Sequence, residues 1–250
     1  MVGLSGISLS KEEQVLVGRI EDMLLSGRVH FTHFLTEREQ VIASRVTVRH
    51  DTAAYYGGYS GAERVMLGMF PVNIPIDLSA FPIFPITISW HKTTLLSHRD
   101  ILGSLMSLLI TRDSIGDILV GDQKAYVFLN KIAADVACNG LSKMGNVGIR
   151  LEAGADISSL PEQQYLILQD TVSSMRLDAV VAAFMNKSRS ASGDLIASGL
   201  VQQNALLTTN LSQPVLSGDK ISVRGYGKAQ IIDKGPSKKG RIRIEIRKYL

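Results

Sequence analysis

The chain has 250 residues, 45% hydrophobic and 20% charged, with a formal net charge of +4, a composition that suits a globular protein able to bury a core. It contains no run of the roughly eighteen uncharged apolar residues that a membrane span requires, and Lys11, Glu12 and Glu13 interrupt the stretch where a signal peptide would be apolar, so a cytoplasmic protein with no membrane partner is expected. A single cysteine, Cys138, excludes an internal disulfide and a thiolate metal cage; with no basic partner nearby in sequence it reads as structural rather than nucleophilic.

In chain order, Ser10 and Glu13 have capping-box spacing ahead of Val15, Leu16, Ile20 and Leu24, which predicts a helix. Thr36 with Glu39 predicts a second helix reaching about Ser44, and Ser60 with Glu63 a third, after a turn at Gly57-Gly58. Pro71, Pro75, Pro82 and Pro85 then interrupt regular structure, and a boundary is expected near Ser79, closing a helix-rich α/β domain over 1–79.

Residues 80–155 read as a strand at Ile86–Trp90, a helix over Arg99–Ile110 and two strands, Asp117–Val120 and Lys124–Leu129, around the turn Gly121-Asp122. A helix capped by Asn130 follows, through Ile132 and Val136 to about Asn139, and then a strand at Val147–Leu151. This is the order of a ferredoxin-like or RRM-like split βαβ unit. Leu160–Thr171 reads as a connecting strand within a linker, 156–174. Residues 175–250 read as two helices, Met175–Phe184 and Arg189–Ser198 with Gly199 as the stop, then short strands at Leu200–Asn204, Ile221–Val223 and Ala229–Ile232. The last strand, Arg241–Tyr249, alternates Ile242, Ile244 and Ile246 on one face with Arg241, Arg243, Glu245 and Arg247 on the other. The expected class is α+β and multi-domain.

Charge is unevenly spread. Met175–Leu250 holds thirteen Lys/Arg against five Asp/Glu, a balance of +8, which leaves fourteen against eighteen for the rest of the chain. Such a concentration is the electrostatic footprint of a polyanion binder. The same segment carries Met175-Arg176-Leu177-Asp178, Ser188-Arg189-Ser190, Asp194-Leu195-Ile196, Gly199-Leu200-Val201, Asn204 and Ser217-Gly218-Asp219-Lys220-Ile221-Ser222-Val223-Arg224-Gly225. In order and spacing these strings resemble the S4-type (alpha-L) RNA-binding domain. Physical chemistry points the same way: a helix N-terminus offers free N–H groups to a phosphate, and Arg176, Lys187, Ser188, Arg189 and Ser190 add donors at two such ends. Arg224 and Lys228 follow a short strand beside Gly225 and Gly227, small residues that let RNA approach. The competing reading makes Arg176 an ion-pair partner of Asp178 or Asp194, and extends to Arg189. Ala191, Ala197 and Gln202 stand where S4-type domains often carry Lys or Arg, which implies a sparser basic surface there, with more asked of Arg176, Lys187, Arg189 and Arg224 or of another domain.

Four further stretches resemble the YlmH-type proteins: Phe34-Leu35 with Glu39-Gln40; Gly57-Gly58-Tyr59 with Gly61-Ala62-Glu63-Arg64; Leu96-Ser97-His98-Arg99-Asp100-Ile101-Leu102-Gly103-Ser104-Leu105; and Arg112 with Ile115-Gly116-Asp117-Ile118. The resemblance implies a ribosome-associated RNA-binding protein that contacts large-subunit rRNA and tRNA in rescue of stalled translation, with a link to cell division. In the middle domain Tyr126 and Phe128 share a strand face on which bases could stack, and Arg99 and Arg112 are the cations that would accompany them. The competing reading puts both aromatics in a core or a domain interface.

Apparent catalytic motifs carry less. His98-Arg99-Asp100 resembles a kinase catalytic loop but has Leu105 where that loop needs a metal-binding Asn, and it reads as a helix cap. Arg176-Leu177-Asp178 resembles part of a pseudouridine synthase string, without the large catalytic domain that follows in those enzymes. Gly57-Gly58 and Gly225-Tyr226-Gly227 lack the Lys-Ser/Thr of a phosphate loop, and of the histidines only His30 and His33 are closely spaced, so no cofactor or metal is expected. The expectation is a non-enzymatic RNA-binding ribosome factor. Its rivals are an RNA-modifying enzyme that uses the S4-type domain for targeting and an adaptor linked to cell division.

Overall fold

Two of the three capping-box signals start helices in the computed structural model, which describes residues 7–91, 95–238 and 240–249. Ser10 and Thr36 each accept the N–H of the glutamate three residues on and receive its carboxylate on their own N–H, opening α1 (Lys11–Leu25) and α2 (Glu37–Thr47). Helix α1 buries Leu16, Val17, Ile20 and Met23, a helical stripe that leaves Val15 facing solvent. Residues 1–6, the opening of the stretch weighed as a signal peptide, lie outside the described residues. The strands β1 (His30–Phe31), β2 (Ala53–Tyr56) and β3 (Met66–Met69) form an antiparallel sheet in the order β1-β3-β2. The third box does not form: Ser60–Glu63 is a turn leading toward β3, because the backbone N–H groups of Glu63 and Arg64 are taken by Asp117, far along the chain.

The middle segment runs β4 (Ile83–Trp90), α3 (His98–Ser107), β5 (Ile115–Val120), β6 (Lys124–Asn130), α4 (Lys131–Gly140), β7 (Lys143–Met144) and β8 (Val147–Ala153). Its sheet has the order β5-β6-β4-β8-β7 with every neighbouring pair antiparallel. Asn130 caps α4 as expected, accepting the Ala133 N–H at 2.8 Å. That helix buries Ala133, Ala134 and Ala137 and turns Ile132 and Val136 outward. Small side chains on the inner face let it lie close on the sheet. Cys138 is exposed on the same helix and takes no part in the core.

The two faces of this sheet have different partners. One packs on α3 and α4 through Ile86, Ile88, Ile101, Leu105 and Val127. The other joins an aromatic core in which Tyr126 and Phe128 meet Phe34, Met66, Phe70 and Phe81. Segments on either side of Ser79 therefore share one core, and Met1–Pro161 forms a single compact unit.

The second unit is Glu162–Leu250. It contains β9 (Tyr165–Val172), α5 (Leu177–Met185), α6 (Arg189–Ala197), β10 (Val201–Gln203), β11 (Leu206–Leu207), β12 (Lys220–Val223), β13 (Gly227–Pro236) and β14 (Ile242–Tyr249). These strands form one antiparallel sheet, β11-β10-β12-β13-β14-β9. The segment expected as a connection supplies β9, which pairs with β14 at all eight positions from Val172↔Ile242 to Tyr165↔Tyr249. The alternation read in β14 holds: Ile244 and Ile246 are buried with Ile221, Ile231, Val180 and Phe184, against α5 and α6. Among the described residues no helix is long and apolar enough to cross a membrane.

Candidate nucleic-acid interface

The turn between α5 and α6 is built by Asn186, which ends α5 in the left-handed conformation (φ 51°), and by Ser188, which caps α6 by accepting the Ala191 N–H at 3.2 Å. The buried Ser192 hydroxyl donates to the Asp178 carbonyl at 2.7 Å and ties the first turns of the two helices together. Five expected contact residues gather here: Arg176, Lys187, Ser188, Arg189 and Ser190. Both arginines, however, are engaged by one carboxylate. Arg176 donates to Asp178 through Nε at 3.2 Å and Nη2 at 3.3 Å, and Arg189 through Nη2 at 2.6 Å. The ion-pair alternative therefore holds for both Arg176 and Arg189, for a physical reason: the Asp178 side chain is only 9% exposed and a buried carboxylate needs cationic partners. Burial pushes the Asp178 carboxyl up, but the hydrogen bonds from Arg189 and Arg176 outweigh it and hold the group below the usual aspartate value. The arginine side chains remain 45% and 52% exposed. Two guanidinium groups against one carboxylate, with exposed Lys187 and Ser190 beside them, leave an oriented, net positive corner.

The other two predicted contacts lie elsewhere. Arg224 sits in the β12–β13 turn, its N–H on the Leu200 carbonyl just past the end of α6. It is thus about a helix length, roughly 13 Å, from Arg189. Lys228 is on β13, with Nζ 4.5 Å over the Tyr249 ring.

In the first unit Tyr126 and Phe128 are buried, so the expected base-stacking surface is absent there: the face that would carry it is covered by the N-terminal segment. Tyr126 Oη lies 2.8 Å from Ser159 Oγ, and the Phe128 ring centroid lies 4.9 Å from that of Tyr59. Gly58, at φ +102°, approaches so closely that a Cβ there would stand 2.4 Å from the Phe128 ring. Arg112 is likewise structural, donating to the carbonyls of Ile115 at 3.0 Å and Gly116 at 3.4 Å. Arg99 is exposed on α3, beside a groove that this helix forms with the β7–β8 hairpin. Asp100 completes a capping box with Ser97, in line with reading the His-Arg-Asp triplet as a cap.

Sequence reasoning missed a second carboxylate centre. Asp117 accepts the Tyr59 hydroxyl at 2.6 Å and the N–H groups of Glu63 and Arg64 at 2.7 and 2.9 Å. Arg64 in turn donates to the carbonyls of Ile115 at 2.8 Å and of Phe34 and Arg112 at 3.0 Å. Burial first, then Arg112, pull the Arg64 pKa down to about 10, and burial with Asp117 raises that of Tyr59. The Gly-Gly-Tyr, Gly-Ala-Glu-Arg and Ile-Gly-Asp strings are thus partners in one network. Their only trace in the sequence is that each is unusually specific.

Among the described residues no three His, Cys, Asp or Glu side chains gather as a metal site would require. Residues 79–156 match a family described as "Putative RNA-binding domain in YlmH". Over 222 residues, 87% of this chain and 86% of the relative, the chain is 35% identical to the Bacillus subtilis (strain 168) "Ribosome-associated protein quality control protein P2". A solved structure, "Cell division protein ylmH from Streptococcus pneumoniae", shares the fold over 62% of this chain and 98% of its own, with a TM-score of 0.53 and 18% identity. On the full-length similarity and the matched domain together, the chain belongs to the YlmH family of RNA-binding proteins.

Proposed function

We propose that the protein is a non-enzymatic, cytoplasmic RNA-binding factor that docks on the ribosome, contacts large-subunit rRNA and tRNA, and serves rescue or quality control of stalled translation. The observation that carries the reading is the Arg176–Asp178–Arg189 corner: two half-exposed guanidinium groups, oriented by a buried carboxylate at the starts of two helices. The printed name of the Bacillus relative supports the ribosomal setting. Two short helices followed by the β10–β11 and β12–β13 pairs support an S4-type reading of the second unit. The β4-α3-β5-β6-α4-β8 order supports a ferredoxin-like or RRM-like reading of residues 80–155, one that does not use its aromatic face for RNA. In this reading Lys187, Ser188, Ser190 and Arg224 are further backbone contacts.

Ribosome co-sedimentation over a salt series tests the proposal. Arg189→Ala should weaken binding several-fold and flatten the log–log salt slope by about 0.9 for each phosphate no longer neutralised. Unchanged affinity and slope would remove the helical corner from the interface.

A further inference from the structure

The sheet of the second unit has another face. Its inner residues pack on α5 and α6, and alternation sends the intervening ones to the opposite side, where no helix of the unit covers them. That side carries Lys220, Lys228, Lys234, Arg243 and Arg247 and, among the described residues, one carboxylate side chain, Glu245. Interactions across the strands confirm a shared face. Glu245 pairs with Lys234 at 3.0 Å and Arg247 at 2.8 Å, and the Lys228 and Lys220 ammonium groups stand 4.5 and 5.8 Å over the Tyr249 ring. Tyr249 is braced edge-on by Tyr165 across β14 and β9, with ring centroids 5.1 Å apart. Four of these cations are thus held in place by a carboxylate and an aromatic ring, and Arg243 by the Lys234 carbonyl, to which it donates at 3.1 Å.

Dimensions and charge point to a nucleic-acid backbone. Lys220 and Arg247 stand in one cross-strand row through Gln230, two strands or about 10 Å apart. Arg243 and Arg247 are four residues apart on β14, about 13 Å, far enough for each to meet a different phosphate of one strand. At the α5–α6 turn only Arg176, Arg189 and Lys187 stand against Asp178, since Ala191, Ala197 and Gln202 supply no charge. The unit's basic character therefore lies more on the sheet face than at the turn. Ile167, Ile232 and Leu207 also point to this side, but they lie on three separate strands and form no continuous row of large apolar side chains of the kind that inserts into a membrane.

We propose that this open face is a second RNA-binding surface, contacting the phosphate backbone of a different RNA segment from the one at the α5–α6 turn, so that the unit bridges two segments. The inference rests on the reading of the protein as an RNA binder. Its test uses the full chain, a short labelled RNA duplex and vesicles containing phosphatidylglycerol. The wild type should bind two duplexes per chain. The triple variant Lys234→Gln/Arg243→Gln/Arg247→Gln should bind one, at least tenfold more weakly overall at moderate salt, with a slope flatter by about 2 to 3. Arg243→Lys/Arg247→Lys, which keeps the charge, should bind as the wild type does. Arg189→Gln should leave the sheet-face event intact. Unchanged stoichiometry and slope in the triple variant overturn the inference while leaving the helical corner standing if Arg189→Gln still weakens binding. If neither variant changes binding, both readings fail. Loss of vesicle binding with RNA binding intact would also overturn it, assigning the face to an anionic membrane surface.

Discussion

Asp117 and Asp178 solve the same problem in the two units. Each is an almost fully buried carboxylate surrounded by donors, and each holds side chains that the motifs single out. Asp178 aims two arginines outward. Asp117 closes a network that joins the N-terminal segment to the middle sheet. Asp117→Ala would strand the Tyr59 hydroxyl and two backbone N–H groups and remove one of the carboxylates near half-buried Arg64. Each stranded donor costs about 1–3 kcal/mol, not fully additively, so a destabilisation of about 3 kcal/mol is expected. Urea unfolding measures it, and a change below about 1 kcal/mol would mean that the network is not a main support of the unit. These residues are visible in the sequence only as members of separate strings. Their roles depend on partners 30 to 58 positions away, which no local pattern encodes.

At the scale of elements, the capping boxes of α1, α2 and α3 are legible because their partners lie within one turn. The box at α2 also makes a pH prediction. Burial raises the Glu39 carboxyl, but hydrogen bonds from His33 and Thr36 outweigh it and bring its pKa from 4.5 to about 2. A carboxyl depressed on folding contributes stability that is complete above its unfolded pKa and is lost as pH falls through the folded one. The wild type should therefore lose up to about 3 kcal/mol between roughly pH 4.5 and 2, a loss that Glu39→Gln should not show. Urea midpoints of both proteins across that range check it, and parallel curves would dissociate Glu39 from acid sensitivity. The Ser60–Glu63 spacing fails as a helix start for a nonlocal reason: the Asp117 carboxylate takes the N–H groups of Glu63 and Arg64. Strand β14 is legible from its alternation, whereas the pairing of β9 with it is not, since alternation names a face and not a neighbour.

At the scale of the molecule, the second unit begins before its first helix. A fragment spanning Glu162–Leu250 keeps β9 against β14 and should unfold cooperatively on heating. A fragment starting at Met175 strips β14 of a partner along its whole length, turning a central strand into an open edge. It should melt at least several degrees lower or aggregate; equal melting temperatures by circular dichroism would show that β9 is dispensable. The distribution of charge also belongs to this scale. The +8 of the last 76 residues is countable from the sequence. Its division between a helical corner and a sheet face requires the strand register.

By itself the sequence determined the family, the positions of most helices and strands, and the segment in which positive charge collects. These follow from signals that act over a few residues: caps at i and i+3, alternation with period two, and motif strings. The tertiary structure decided which faces those elements present. Tyr126 and Phe128 have the alternation of a base-stacking strand and equally that of a buried one, and the N-terminal segment packed over them makes them core. Arg176 and Arg189 have the spacing of phosphate contacts, and a buried carboxylate between two helices makes them a matched pair. In the first case the deciding interaction is burial against a distant part of the chain; in the second it is the burial of a carboxylate only two and eleven positions away, and local spacing specifies neither.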